Sequence, residues 1–247
     1  MKKFLLGTVG LVALGMVSPA SAADLAARPY TKAPPMMVAI YDWSGFYIGA
    51  NGGWGSTNDA RTNITNSVFL GRYDATGAVA GGQIGYRWQS GAIVYGLEAQ
   101  GDWADLNGSI QNLGNPLNTI HSRMDAFGLF TGQVGYAWNN ALLYVKGGAA
   151  VTDRRYDFIV NATGAVGASA NYATRLGGTV GAGLEYGFAP NWSAAVEYDH
   201  IFEGKHTVGF FDVAGVPLAS TYSSGGDTDM VTVRVNYRWG GPAVARY

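Results

Sequence analysis

Three histidines, His121, His200 and His206, are the side chains in this sequence best suited to acid–base chemistry near neutral pH. Two of them have a neighbour with which they could form a catalytic pair, because His121 precedes Ser122 and His200 follows Asp199. Adjacent residues on a strand face opposite sides of the sheet, so neither pair would meet in an extended segment. We therefore expect ordinary histidines near long loops, no catalytic residues and no enzymatic activity.

Carboxylates in the predicted loops are the candidate metal ligands. Asp227 and Asp229 flank Thr228, and Asp153 and Asp157 lie close together, but neither set has the order of ligands found in a calcium loop. The chain also contains no cysteine, so an exported form could not use disulfides. We expect no metal and no cofactor.

A larger set of ionisable side chains recurs at every second position of alternating segments. After Ile93, for example, the apolar residues Tyr95 and Leu97 alternate with a polar face that contains Glu98 and Asp102. A period of two is typical of a strand with two different faces. We assign five basic and six acidic residues to the inward, polar faces: Arg87, Glu98, Asp102, Asp125, Lys146, Arg175, Glu185, Glu197, Asp199, Arg234 and Arg238.

A repeat of about fifty residues organises these segments. Tyr86, Tyr136, Tyr186 and Tyr237 occupy four similar motifs, spaced 50, 50 and 51 residues apart, which indicates a repeated supersecondary unit. The predicted strands lie near 43–54, 75–88, 93–104, 123–138, 142–153, 173–188, 192–202 and 229–239. Three links of two to four residues alternate with four long loops, predicted at 55–74, 105–122, 154–172 and 203–228.

The composition favours a membrane environment for these strands. Only 13% of the residues are charged, 13% are aromatic, and no apolar run after the N-terminus is long enough for a spanning helix. In lipid the backbone N–H and C=O groups need hydrogen-bond partners within the protein. Where no helix spans the membrane, a closed barrel provides them. Short turns on one side and long loops on the other are typical of outer-membrane barrels. We predict an all-β fold, an eight-stranded antiparallel up-and-down transmembrane β-barrel over residues 43–239.

Aromatic residues cluster at the strand ends, as expected for interface girdles. A soluble sandwich or lipocalin-like barrel would explain the alternation but not this clustering. The predicted girdle comprises Trp54, Tyr86, Trp88, Tyr95, Trp103, Tyr136, Trp138, Tyr186, Phe188, Trp192, Tyr237 and Trp239.

The termini predict export. Lys2 and Lys3, an apolar stretch and Ala20-Ser21-Ala22 form a signal peptide over residues 1–22. A proline-containing periplasmic leader follows at 23–42, and a periplasmic tail occupies 240–247. After cleavage 14 basic residues face 17 acidic ones, a net charge of −3, and the absence of a basic block argues against a nucleic acid partner.

Several motifs resemble the outer-membrane immunogenic protein family, a group of small opacity-type, porin-like surface antigens of Gram-negative bacteria. They are Ala23–Tyr30, Trp43–Gly49, Val180–Tyr186 and Asn191–Tyr198, and the resemblance extends over nearly the whole mature chain. It implies an eight-stranded barrel in the outer membrane, assembly by the barrel-insertion machinery, surface-exposed antigenic loops and no catalytic residues. The eight residues after Trp239 depart from barrels that finish on the aromatic of the last strand, so Trp239 and Tyr247 both remain candidates for the insertion signal.

The function expected from this architecture is structural. An eight-stranded interior is just wide enough for side chains to fill, and nearly balanced buried charges should pair, so we expect an ion-pair plug. The alternative is a narrow hydrated channel for small solutes. The apolar segment Gly209–Leu218 is interpreted either as a lid over the barrel mouth or as an adhesive patch for a host or neighbouring cell. We expect lipid and lipopolysaccharide as surroundings, and a monomer because one chain closes on itself.

Overall fold

In a computed structural model, residues 41–63, 67–112, 115–204, 206–212 and 214–239 are described, and their regular structure is entirely β. Ten strands form one antiparallel sheet. They are β1 (Gly45–Asn63), β2 (Val68–Ser90), β3 (Ile93–Gln111), β4 (Asn118–Trp138), β5 (Ala141–Val160), β6 (Val166–Ala189), β7 (Trp192–Phe202), β8 (His206–Asp212), β9 (Pro217–Gly225) and β10 (Thr228–Trp239). The described residues contain no helix that is long and apolar enough to cross a membrane.

The sheet closes into a barrel. Neighbouring strands follow chain order from β1 to β7, and β10 pairs with β7 on one side and with β1 on the other. The closing ladder runs from Phe46↔Trp239 to Thr57↔Thr228. Beyond the end of this ladder the hairpin β8–β9 takes the places of β7 and β10, because β9 pairs with β1 and β8 with β6. The predicted eight-stranded antiparallel barrel is confirmed, since β7–β8 and β9–β10 are two long strands, each interrupted once.

The predicted long loops are wrong in extent. Most of 55–74, 105–122, 154–172 and 203–228 is strand, so that β1 and β2 form one hairpin that reaches Asn63 and Val68. Hydropathy alternates only where one face of a strand contacts lipid and the other contacts the interior. Beyond that zone both faces can be polar, and the alternation that marked the strands disappears. The described residues of the apolar segment in the fourth loop belong to the β8–β9 hairpin, whose strands pair with β6 and β1 in the barrel wall.

Three tight turns join the strands at the other end of the barrel. They lie at 91–92, 139–140 and 190–191, as the sequence predicts. Gly91 (φ +62°) and Asn139 (φ +52°) have left-handed backbone conformations, which glycine and asparagine adopt more easily than other residues. The predicted signal peptide, all of the leader except its last two residues, and the C-terminal tail lie outside the described residues.

The exposed face of the wall is apolar and the buried face is polar, which is the reverse of a soluble protein. Leu97, Val145 and Val233 are 61%, 55% and 57% exposed, whereas Glu98 and Lys146 face inward and are each 5% exposed. An apolar exterior around a polar interior is the pattern of a barrel that sits in lipid.

Candidate functional site in the barrel interior

A network of ion pairs crosses the middle of the lumen. The Arg234 guanidinium contacts Glu98 at 2.6 Å and also pairs with Glu197. The Lys146 ammonium lies 2.7 Å from Glu197, 3.2 Å from Asp199 and 3.4 Å from Glu98. These five residues come from β3, β5, β7 and β10, and their side chains are at most 1% exposed. The network therefore connects four strands around the barrel.

Two tyrosines complete this network. The Tyr47 hydroxyl donates to Glu98 Oε2 over 2.6 Å, and the Tyr144 hydroxyl donates to Glu197 Oε2 over 2.5 Å. Both tyrosines are 2% exposed. Neither tyrosine is among the predicted interior residues, because the aromatic residues of the strands are expected to face lipid. Their position in the alternation could have identified them, since Tyr144 lies two residues before Lys146 and therefore shares its inward face.

A second ion pair lies nearer the tight turns. Arg87 contacts Glu185 at 2.8 Å. Glu185 also accepts hydrogen bonds from the Ser193 hydroxyl and, over 2.9 Å, from the Asn236 amide. Arg87 donates to the Gln133 amide oxygen over 3.3 Å. A buried ion pair is tolerated when hydrogen bonds satisfy its remaining polar atoms; these amide and hydroxyl groups serve Glu185 Oε1 and one Arg87 nitrogen, while Arg87 Nε has no partner among the described residues.

Aromatic side chains pack inside the barrel at the turn end. Trp43 is 1% exposed and Tyr41 is 7% exposed, and their ring centroids lie 4.5 Å apart. Arg238 packs over the Tyr41 ring at 5.2 Å and donates to the carbonyl oxygens of Ser44 and Pro190. The two rings belong to an apolar cluster with Val94, Ala137, Leu142 and Tyr144. The end of the predicted leader thus folds into the barrel.

An apolar layer lies on the other side of the ion network. Its residues lie on the same inward strand faces as the polar residues. Ile201 follows Asp199 by two residues, and Met230 precedes Thr232 by two. The layer draws on six strands, and it consists of Val79, Leu106, Met124, Phe127, Leu129, Ala150, Ile201 and Met230. Buried apolar clusters therefore lie on both sides of the charges.

Seven of the eleven predicted interior residues take part in ion pairs with one another: Arg87, Glu98, Lys146, Glu185, Glu197, Asp199 and Arg234. Asp102 is buried and accepts a hydrogen bond from Gln100. Arg238 binds backbone carbonyls, and Arg175 is buried against the ring of Tyr156.

The prediction was wrong for Asp125. Its side chain is 36% exposed and forms an ion pair with Arg123 at 3.1 Å. The register of β4 shifts between Met124 and Ala126 against both neighbouring strands. This bulge changes the alternation that had placed Asp125 in the lumen.

The predicted girdle residues face outward. Eleven of the twelve are exposed, and Tyr237 is half-buried. Trp103 and Trp54, at the far end from the tight turns, are 77% and 60% exposed. On the turn side neighbouring rings contact each other, with Trp88 and Tyr95 stacked at 5.8 Å.

His121 does not meet its chain neighbour, as the alternation along a strand predicts. His121 is exposed and Ser122 is buried, so they lie on opposite faces. His200 Nδ1 instead lies 2.7 Å from Asp229 Oδ1, which also accepts a hydrogen bond from the Tyr198 hydroxyl. The side chain of His206 lies outside the described residues. In the described part of the chain, no group of three or more His, Asp or Glu residues could hold a metal ion.

Comparisons with known proteins agree with this geometry. Residues 9–239 match the family model described as "Outer membrane protein beta-barrel domain". The 31 kDa outer-membrane immunogenic protein of Brucella melitensis is 28% identical over 218 residues, which cover 84% of this chain and 90% of that protein. The 25 kDa outer-membrane immunogenic protein of Brucella abortus is 27% identical over a match that covers 90% of this chain and 93% of that protein.

Among solved structures, the outer membrane protein OprG of Pseudomonas aeruginosa is similar with a TM-score of 0.47 and 12% identity, over 81% of this chain and 99% of that one.

Proposed function

Because the chain belongs to the family of outer membrane protein β-barrel domains, we propose that it is a structural barrel of that membrane with a closed lumen and with long hairpins that face the cell exterior. The observation that carries the closed lumen is the ion network of Arg234, Lys146, Glu98 and Glu197. An apolar layer and an aromatic cluster pack on its two sides. A hydrated path would have to separate these side chains.

A second candidate is a passive channel for small solutes. The interior is polar over much of its length, and the buried hydroxyls of Thr131 and Thr232 have no hydrogen-bond partner among the described residues. Water could satisfy them. Single-channel recording in a planar lipid bilayer separates this candidate from the closed barrel.

The proposed orientation follows from the two barrel ends. Short turns face the periplasm in bacterial outer-membrane barrels, and long connections face outward. Here the long β1–β2, β3–β4 and β5–β6 hairpins and the β8–β9 hairpin share one end. The relatives from Brucella carry "immunogenic" in their names, and we extend a surface-antigen role to these hairpins. The partners that this role requires are outer-membrane lipid, lipopolysaccharide and the barrel-insertion machinery.

The orientation can be tested by labelling, because the chain has no cysteine of its own. Leu117 is 73% exposed at the long end, and Ser90 is exposed beside a tight turn. With a membrane-impermeant maleimide on intact cells, we expect Leu117→Cys to be labelled and Ser90→Cys to be labelled only after the outer membrane is permeabilised. If only Ser90→Cys were labelled in intact cells, the barrel would have the opposite orientation.

A further inference from the structure

Two arginines face the lumen beyond the apolar layer. Arg154 on β5 and Arg175 on β6 are 2% and 3% exposed. In the ladder between these strands Arg154 lies opposite Ala173, and Thr152 lies opposite Arg175. The two arginines are therefore diagonal neighbours on the same face, a separation that long side chains can bridge.

Arg154 has a carboxylate partner among the described residues. Arg154 lies 2.5 Å from Glu203 and also donates to the Thr228 hydroxyl over 3.1 Å. All three guanidinium nitrogens of Arg175 are buried and have no hydrogen-bond partner among the described residues, and the hydroxyl of Thr152 is in the same position. The described contact of Arg175 is the ring of Tyr156, 5.4 Å away.

A buried cation without a counter-charge is costly. A cation–π contact offsets part of this cost. A ring stacked over the guanidinium does not bond to the N–H donors, which lie in the plane of the guanidinium. These donors form a planar fork that matches the oxygens of a carboxylate or phosphate. We propose that Arg175 and Thr152 form an anion-binding site in the outer half of the lumen, and that its ligand is a small oxyanion such as phosphate or a carboxylate.

Strand pairing in the wall is interrupted beside the site. The β6–β7 ladder ends at Gly178↔Phe202, and the β6–β8 ladder consists of Ala168↔Asp212 and Ser169↔Phe211. The stretch of β6 that carries Arg175 lies between these two ladders, so it has no described strand partner on that side. An anion from the exterior would reach the site through this seam without passing the apolar layer.

The test uses the mature chain refolded in octyl glucoside, a detergent without phosphate, with inorganic phosphate as the probe. Thermal unfolding is followed at constant ionic strength for the wild type, Arg175→Gln, Arg175→Lys and the control Arg123→Gln. Arg123 is exposed on the outer face, away from the proposed site. Arg123→Gln changes the net charge by the same amount as Arg175→Gln. Phosphate that merely acts as an excluded salt would raise all four melting temperatures without saturation.

We expect the wild type and Arg123→Gln to show a saturable rise of several degrees at millimolar phosphate. Arg175→Gln should lose this rise, and Arg175→Lys should need a higher phosphate concentration because it lacks the fork. If Arg175→Gln does not fold, the wild type and the lysine variant still decide the matter. A wild type without a saturable response would overturn the proposal, as would equal responses of the wild type and a folded Arg175→Gln.

Discussion

The Arg234→Met variant is expected to lose about 3–5 kcal/mol of unfolding free energy, because removal of one partner leaves buried charge uncompensated. Arg234 is the guanidinium that both Glu98 and Glu197 contact, and all three side chains are at most 1% exposed. Without it, Lys146 alone would face these two carboxylates and Asp199. Denaturant unfolding of the barrel in lipid vesicles, followed by tryptophan fluorescence, measures the loss.

Two further variants make this experiment specific. Arg123→Gln removes an exposed arginine that contacts Asp105 and Asp125, and an exposed pair contributes at most about 1 kcal/mol. Adding Glu98→Gln to Arg234→Met removes one of the uncompensated charges and should recover part of the loss. If Arg234→Met were no more destabilising than Arg123→Gln, the network would not be the polar core of the barrel.

Gly53→Ala is expected to damage the strand pair that closes the barrel. A Cβ at Gly53 would overlap the carbonyl oxygen of Val231 and approach the Cα of Thr232 to 2.7 Å, both on β10. Backbone atoms cannot move aside as a flexible side chain can, so β1 and β10 would have to separate locally. Overpacking of this kind costs up to about 3 kcal/mol. We therefore expect a lower folded yield and a lower midpoint of unfolding.

The adjacent glycine provides a matched control. A Cβ at Gly52 would meet one atom, the carbonyl oxygen of Val79, at an ordinary contact distance of 3.7 Å. Gly52→Ala should therefore change stability by no more than about 1 kcal/mol. Heat-modifiable migration in electrophoresis reports the folded fraction of both variants. Equal yields for Gly53→Ala and Gly52→Ala would show that β1 and β10 do not approach as closely as described.

The sequence predicted the barrel because lipid imposes a strict alternation on the strands that cross it. Strands such as β10, with Val231, Val233 and Val235 outward and Arg234 inward, carry that signal. It disappears beyond the lipid, so the sequence predicts loops for the β8–β9 hairpin and for the extensions of β1–β6 at the end opposite the tight turns. Their pairing depends on neighbours in the sheet, which hydropathy alone does not encode.

Interior contacts were predicted less completely than the wall. The charge balance and narrow lumen indicated that Glu98, Lys146 and Arg234 would pair, because unpaired buried charge is so unfavourable. Which residues meet depends on the stagger of the strands around the barrel, and this stagger cannot be read from one strand at a time. For this reason Tyr47 and Tyr144 were missed, and the bulge that moves Asp125 to the exterior was not anticipated.

Single-channel recording tests the closed lumen most directly. The mature chain is refolded into a planar lipid bilayer at neutral pH, and insertion is confirmed independently by heat-modifiable migration of the recovered protein. We expect a silent membrane, because ion pairs, apolar side chains and aromatic rings pack at successive levels of the interior. Reproducible conductance steps that change when Lys146 or Arg234 is neutralised would contradict it and establish a hydrated channel lined by those residues.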